Sequence, residues 1–403
     1  MTARARDRLI SSPSAPVVTP PRALRVLLTP SAYYPHVGGI EEMTRQFALA
    51  LRVRGHEVSV LTNRWPPGVS PSETLDSIAI TRLAFPLPAA RPLAAAQFLT
   101  AAVPATRALL RHVGRLRPDV VHVVGAGPPS AYFAALRSRV NAGLVFTGQG
   151  ELTFDADGVF ERSATFWVGL RRMLRQADAV TACSAYVLRD LGAFGEVRGP
   201  THVVPNGVEP SDFAATTRPS EDVGRYVLAI GRLVPQKGFD VLVEAFKSDA
   251  LRDLTLVLVG DGPERGRLQS RAANLGLATR VRFLGSVERS RIPALFCGAD
   301  AFAFPSRGEG FGIALLEAMA AGVPAVAAAA GGVPEFAHDG ENALLVPPDD
   351  PAALAEGLAR LIADPQLRKR LSREGRKTAA GLAWSEIAHR YEQIYLAIGS
   401  GRA

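Results

Sequence analysis

The sequence has few of the residues that build cross-links and metal centres. Its 403 residues include only two cysteines, Cys183 and Cys297, which lie far apart in apolar surroundings. We expect both to be buried thiols rather than a disulfide or a metal site, and unpaired cysteines fit a reducing cytoplasm. The seven histidines show no metal-ligand spacing.

A membrane-spanning run is also missing. The longest uncharged run follows Glu317, but it is rich in Ala and Gly and is broken by Pro324, so it does not predict a span. Residues 1–23 carry four arginines and four prolines, and the prolines spoil the apolar core of a signal peptide. We therefore interpret residues 1–23 as a disordered tail and expect a cytoplasmic protein.

Lysine is absent from the first 205 residues, so their basic charge is all arginine. They hold 23 Arg against 14 acidic residues, a net charge of +9, whereas the remainder holds 23 basic and 24 acidic residues, a net charge of −1. The excess indicates an anionic partner or surface on the N-terminal side, although an arginine-rich solvated surface is the alternative. We expect no nucleic-acid partner.

One predicted helix concentrates this charge. It covers about residues 93–116, is interrupted at Pro104, and sets Arg107, Arg111 and Arg115 at four-residue spacing. Such a row could dock peripherally on anionic lipid at the inner face of the cytoplasmic membrane, or it could be an ordinary solvated helix face.

Strands and helices alternate along the whole chain. A strand at 23–29, a loop with Gly38 and Gly39, a helix at 40–54 and a strand at 57–61 predict a βαβ unit. A second series begins with a strand at 226–230, after a polar linker at about 209–224. The pattern predicts an α/β fold of two doubly wound, parallel sheets, whose ligands bind outside the carboxyl ends of the strands.

The most informative stretch is FPSRGEGFGIALLE, residues 304–317. A strand predicted over 299–304 enters a Gly-rich turn, and a helix follows at about 313–321. This arrangement brings backbone N–H groups and the positive end of a helix dipole to an anion. With Glu309 in the turn and Glu317 on the helix, it suits a phosphorylated, hydroxyl-rich ligand. The alternative is an ordinary turn with two solvated glutamates.

Taken as an ordered set, these motifs resemble the retaining glycosyltransferases of the GT-B fold, specifically glycosyltransferase family four. The set covers about residues 24 to 395 and comprises the Gly38-Gly39 loop, PNGV at 205–208, GRLVPQKG at 231–238, GDGPE at 260–264, FLGSV at 283–287 and EGFGIALLE at 309–317. The resemblance implies two Rossmann-like domains that face each other across a cleft. They would be an acceptor-side domain at 24–205 and a nucleotide-sugar domain at 206–383, with a helix at 384–403 packing back toward the first.

The resemblance also implies a role for each motif. Arg232 and Lys237 would stabilise the donor diphosphate, and Glu309 would contact the donor sugar and its developing oxocarbenium ion. Glu317 would hydrogen-bond the ribose. The remaining donor contacts would come from Gly38, Gly39, Gly310, Phe311 and Gly312, with Phe283, Leu284 and Gly285 flanking the base.

The implied reaction is transfer of a hexose from a UDP- or GDP-linked donor with retention, by front-face attack. It needs no cofactor and no obligatory metal. The acceptor would be a lipid, a glycan or a small molecule.

One position departs from the family pattern. Many members carry a His after the strand that here ends LVFTGQGE, and the equivalent position is Gln149. Gln149 and Asn206 are candidates for the acceptor side or the cleft. Because Gln cannot titrate, a non-catalytic nucleotide-sugar-binding protein stays open beside the transferase, as does a sugar-nucleotide epimerase on the same fold.

Overall fold

The computed structural model describes residues 22–35, 38–66, 68–87, 92–150, 164–213 and 224–400. Within them the chain forms two sheets covered by helices, which confirms the predicted α/β fold with two doubly wound sheets. The predicted tail falls almost entirely on residues 1–21, outside the described residues, and so does most of the predicted linker.

The first sheet has eight strands, in the order β3-β4-β2-β1-β5-β6-β7-β8. Its strands are β1 (Arg25–Pro30), β2 (Glu57–Asn63), β3 (Ser72–Leu75), β4 (Ile78–Leu83), β5 (Val120–Val124), β6 (Gly143–Gly148), β7 (Ala179–Ala182) and β8 (Thr201–Val203). All pairs are parallel except β3 with β4, which sequence reasoning missed. The helices of this half are α1 (Gly39–Val53), α2 (Pro92–Leu116), α3 (Pro128–Ala135), α4 (Ala164–Gln176) and α5 (Ala185–Gly192).

The second sheet has six parallel strands, in the order β11-β10-β9-β12-β13-β14. They are β9 (Tyr226–Ile230), β10 (Thr255–Val259), β11 (Val281–Gly285), β12 (Ala301–Phe304), β13 (Ala325–Ala328) and β14 (Leu344–Val346). The helices are α6 (Phe239–Ala245), α7 (Arg265–Asn274), α8 (Ile292–Gly298), α9 (Ile313–Ala321), α10 (Pro351–Ala363), α11 (Pro365–Gly381) and α12 (Trp384–Ser400).

Both sheets reverse their winding direction in the middle. The reversal lies between β1 and β5 in the first sheet and between β9 and β12 in the second. At such a point neighbouring turns leave the sheet in opposite directions and open a crevice at the carboxyl ends of the strands. The turns after β1, β9 and β12, which hold most of the predicted site residues, all start at these two points.

The last helix crosses back to the first half of the chain. In α12, the Trp384 ring centroid lies 6.2 Å and the Tyr391 centroid 4.8 Å from that of Phe47 on α1. These ring contacts place α12 against α1. The boundaries of the domains as folding units stay a prediction.

Three local predictions were wrong. Helix α2 runs through Pro104 without a break. Strand β12 begins at Ala301, two residues later than predicted. Cys183 is buried as expected, but Cys297 is exposed because it lies on the outer side of the short helix α8.

Candidate active site

A cavity of about 430 Å³ opens between the carboxyl ends of the two sheets. This volume lies in the range of about 300 to 1,000 Å³ typical of small-molecule sites. The cavity brings together predicted site residues from both halves of the chain: Gly38, Gly39, Gln149, Asn206, Arg232, Lys237, Glu309, Gly310, Phe311, Gly312 and Glu317.

Three predicted donor contacts lie elsewhere. Phe283, Leu284 and Gly285 end β11, the edge strand of the second sheet, and they are not among the lining residues. The Gly285 carbonyl accepts the Gly260 amide at 2.8 Å. The chain reaches the cavity only a few residues later, at Val287 and Arg289.

Lys237 and Glu309, which both line the cavity, form an ion pair. Lys237 Nζ donates to Glu309 Oε1, and the Ser306 hydroxyl donates to the same oxygen at 2.8 Å. Glu309 is only 8% exposed. The alternative of two solvated glutamates is therefore wrong for Glu309, and Ser306 is a partner that sequence reasoning missed.

The turns after β9 and β12 are bound to each other beneath this pair. The Arg307 guanidinium donates to both oxygens of Asp240, at 2.9 and 3.0 Å, and the Gln236 amide donates to the Gly308 carbonyl at 2.9 Å. A bidentate arginine–carboxylate pair fixes orientation as well as distance. Lys237 and Glu309 are consequently presented by one interlocked pair of turns.

Glycine is required where the two halves meet. A Cβ atom at Gly310 would lie 2.4 Å from the Gln149 carbonyl oxygen, which no side chain tolerates. The Ser184 hydroxyl, at the start of α5, donates to the Gly310 carbonyl at 2.6 Å. Gly312 is the N-cap of α9 and has a φ of 111°, in the region that favours glycine. The absence of side chains at Gly310 and Gly312 thus lets the first turn of α9 come close to the cavity.

The first half contributes a neutral hydrogen-bonding pair. Gln149 follows β6 and Asn206 follows β8, and the Asn206 amide donates to Gln149 Oε1 at 2.9 Å. His122, one strand earlier, is in the core and not in the cavity lining: its ring bonds Thr147 Oγ1 at 2.5 Å and the Tyr395 hydroxyl at 2.7 Å. Burial lowers the pKa of His122 to about 3.

Glu317 is buried and paired with an arginine that sequence reasoning did not find. Arg289 Nη1 lies 2.5 Å from Glu317 Oε1. Burial raises the pKa of the Glu317 carboxyl, although Arg289 acts to lower it. The segment ERSR at 288–291 gave no signal for this contact, because the contact depends on how the loop after β11 folds back over α9.

The described residues offer neither a cluster of metal ligands nor a helix suited to span a membrane. The described residues contain no group of three or more His, Cys, Asp and Glu side chains placed to hold a metal ion. In the same part of the chain, no helix is both long enough and apolar enough to cross a membrane.

Comparison with known proteins identifies the family. Residues 37–212 match the family model described as Glycosyltransferase Family 4, and residues 214–378 match Glycosyl transferases group 1. A GDP-mannose-dependent alpha-(1-6)-phosphatidylinositol monomannoside mannosyltransferase of Mycolicibacterium smegmatis is 31% identical over 374 residues, covering 88% of this chain and 93% of that protein.

Two further similar proteins support the same family and fold. The phosphatidyl-myo-inositol mannosyltransferase of Mycobacterium tuberculosis is 31% identical over 378 residues, covering 90% of this chain and 94% of that protein. The solved structure of a sucrose-phosphate synthase from Thermosynechococcus elongatus has the same fold, with a TM-score of 0.78 at 24% identity, covering 94% of this chain and all of that one. The chain therefore belongs to glycosyltransferase family four and is a glycosyltransferase of the GT-B fold.

Proposed function

We propose that this enzyme moves a hexose from a UDP- or GDP-linked donor to a lipid, glycan or small-molecule acceptor. The observation that carries the proposal is the cationic turn of Arg232 and Lys237 beside Gly310 and Gly312, at the start of α9. Two cations and a helix N-terminus suit a diphosphate, which must be stabilised as it leaves.

Glu309 supplies the contact to the donor sugar in this proposal. Its carboxylate is held by Lys237 and Ser306, and it has lone pairs left to accept sugar hydroxyls. A buried negative charge beside the sugar also favours the positive charge that develops as the glycosidic bond breaks.

We further propose that transfer retains the anomeric configuration and needs no metal. A donor phosphate oxygen takes the acceptor proton, and the acceptor attacks from the face that the diphosphate leaves. Gln149 and Asn206 meet the reacting sugar from the other half and orient it by hydrogen bonds alone, because neither side chain titrates.

A membrane-bound acceptor is supported by the surface of α2. Arg107, Arg111 and Arg115 are exposed along one face, while Leu109 and Val113 are buried on another. Val103 on the same helix is 51% exposed. Both relatives described above are named for phosphatidylinositol substrates, and we propose that α2 docks on an anionic membrane surface to reach such an acceptor.

The transfer proposal is tested by product analysis. The protein is incubated with UDP-glucose, UDP-galactose, GDP-mannose or ADP-glucose and with extracted membrane lipid, and NDP release and glycolipid are measured with and without EDTA. We expect one donor to give glycolipid with a retained anomeric centre by NMR. A recovered epimer of the donor sugar would favour the epimerase, and binding without hydrolysis or transfer would favour the non-catalytic protein.

The docking proposal has its own test. Vesicles with phosphatidylglycerol should sediment the protein at low salt and release it at high salt, because salt screens exposed charges. The triple variant Arg107→Ser, Arg111→Ser, Arg115→Ser should stay in solution. The control variant Arg252→Ser, Arg271→Ser, Arg282→Ser, which loses the same charge in the second half, should still sediment with the vesicles. Equal sedimentation of the two triple variants would contradict docking by α2.

A further inference from the structure

One arginine lies between carboxylates that come from both halves of the chain. Arg289 opens the short turn Arg289–Arg291 after β11. Its Nη1 is 2.5 Å from Glu317 Oε1 on α9, and its Nε is 3.8 Å from Glu42 Oε1 on α1. The guanidinium also lies 5.9 Å from the ring centroid of Phe213. Arg289 thus connects the second sheet's donor-side helix with the first helix of the other half.

The two carboxylates are held in unequal ways. Glu317 is 6% exposed, and Arg289 is the cation that pairs with it. Glu42 is also buried, but it accepts the Tyr34 hydroxyl, the Gln46 amide at 2.8 Å and the Arg45 guanidinium at 3.4 Å. Glu42 is therefore a fixed point on α1, whereas the position and charge of Glu317 depend on Arg289.

Three carboxylates around Arg289 stabilise the charged form of its guanidinium. Burial acts to lower the pKa of the Arg289 guanidinium, but Glu317, Glu42 and Asp212 together hold it above its usual value. Leaving a buried carboxylate without its cation is costly, so removal of Arg289 would favour a protonated or displaced Glu317.

We propose that Arg289 is a positioning residue that orients the Glu317 carboxylate toward a nucleoside ribose and, through Glu42, couples ribose recognition to the position of α1. The inference rests on the proposed function, because it takes a nucleoside diphosphate as the ligand of the cavity. An ionised carboxylate has enough lone pairs to accept from the guanidinium and from a ribose hydroxyl at once. Because Arg289 already fixes its orientation, less freedom is lost when the ribose binds.

The coupling to α1 has a direct structural route. Helix α1 begins at Gly39, which lines the cavity, and a Cβ atom there would lie 3.8 Å from Ile313 at the start of α9. A shift of Glu42 relative to Arg289 therefore moves the Gly39 loop relative to the donor turn. Ribose binding at Glu317 and closure of this loop use the same arginine.

A second contact across the cleft serves as a control. Glu335 accepts the backbone N–H groups of Ala185 and Tyr186, at 2.7 and 2.8 Å, and so links the second half to the start of α5. Glu335 is not among the residues that line the cavity. Glu335→Gln should weaken the contact between the two halves without disturbing the Glu317 carboxylate.

The experiment compares UDP or GDP, whichever binds, with its 2′-deoxy and 3′-deoxy analogues by calorimetry. The wild type should prefer the ribonucleotide by about tenfold or more, as expected for a hydrogen bond to a charged group. Arg289→Met keeps the long stem over Phe213 and should bind all three nucleotides alike. Arg289→Lys should give an intermediate ratio, and Glu335→Gln should weaken all three by the same factor.

A second readout follows the coupling. Ribonucleotide binding should slow hydrogen exchange at the amides of α1 in the wild type but not in Arg289→Met. A wild-type preference retained in Arg289→Met, or in Arg289→Lys if the Met variant does not fold, would overturn the inference. Nucleotide binding by the wild type without a ribose preference would also overturn it while leaving the proposed function intact. Absence of any nucleotide binding would overturn both.

Discussion

The turns at the winding reversal of the second sheet carry charged side chains, whereas those of the first sheet carry almost none. After β9 and β12 come Arg232, Lys237 and Glu309, all of which line the cavity. After β1 the first sheet offers Gly38 and Gly39, and the described residues 125–127 after β5 do not line the cavity. The two sheets therefore reverse their winding in the same way, but only the second sheet places charged side chains on the turns at the reversal.

A second set of polar groups in the first half lies in its core, away from the cavity. His122, Thr147 and Thr181 lie on β5, β6 and β7, and their side chains bond each other and the hydroxyls of Tyr391 and Tyr395 on α12. Because satisfied buried networks specify one arrangement, this network fixes α12 on the first sheet. Our interpretation is that the turns of the second half hold the donor, while the first half contributes the Gly38-Gly39 loop, the neutral pair of Gln149 and Asn206, and the carboxylate of Glu42.

The largest effect should come from breaking the central ion pair of the second half. Lys237→Ala removes a cation from the proposed diphosphate and leaves Glu309 buried without it, so we expect the transfer rate to fall by about 10² to 10³. Lys247→Ala removes an exposed lysine paired with Glu244 in the same half and should leave the rate unchanged. Steady-state kinetics of both variants, with thermal unfolding as a check on folding, make the comparison. Equal rates for the two variants would contradict the assignment of Lys237.

A smaller effect should follow when the two halves are kept apart. Gly310→Ala places a Cβ atom 2.4 Å from the Gln149 carbonyl oxygen, so the turn must move away from the first half. We expect the rate to fall by about tenfold or more, since misplacement of a reacting group by 1 Å can cost about 100-fold. Gly266 lies on α7, and a Cβ atom there would meet no atom within 4 Å. Gly266→Ala should therefore leave the rate unchanged. Full activity of Gly310→Ala would mean that the close approach is not needed.

The smallest effect concerns the core of the first half and appears in stability. The His122 ring stays neutral in the folded protein down to about pH 3, whereas in the unfolded chain it takes up a proton below about pH 6.5. The free energy of unfolding should therefore fall as the pH drops below 6.5, by up to about 1.4 kcal/mol per pH unit from this one group.

His122→Gln tests this slope. The variant should be less stable at pH 7.5, because it disturbs the bonds to Thr147 and Tyr395, but its stability should depend less on pH between 6.5 and 5. Urea unfolding across that range measures both quantities. The exposed His202 is the control, and His202→Gln should keep the wild-type slope. An unchanged slope in His122→Gln would mean that the buried ring does not cause it.

The second half was the more predictable from sequence. Its strands are apolar runs that end in Gly-rich turns, and a turn of this kind fixes both the strand end and the helix start. The predicted bounds of β9 and α9 accordingly match the structure to the residue. The positions of Lys237 and Glu309 in one cavity followed from the rule that the carboxyl ends of parallel strands share an edge.

Contacts between distant segments could not be predicted. The pairing of Arg289 with Glu317, the Ser184–Gly310 bond and the Glu335 cap on α5 depend on how the two halves meet, and no periodicity in the sequence encodes that. The continuous helix through Pro104 was missed because proline usually breaks a helix, whereas tertiary packing of α2 against the first sheet outweighs that preference.

The most direct test of the division between the halves is hydrogen exchange with and without saturating UDP or GDP. The account predicts slower exchange at the amides of residues 231–238 and 308–317, with a smaller change at 143–149 and none at 120–124. Protection confined to the turns of the first sheet, with exchange around Lys237 unaffected, would contradict the claim that the second half holds the donor.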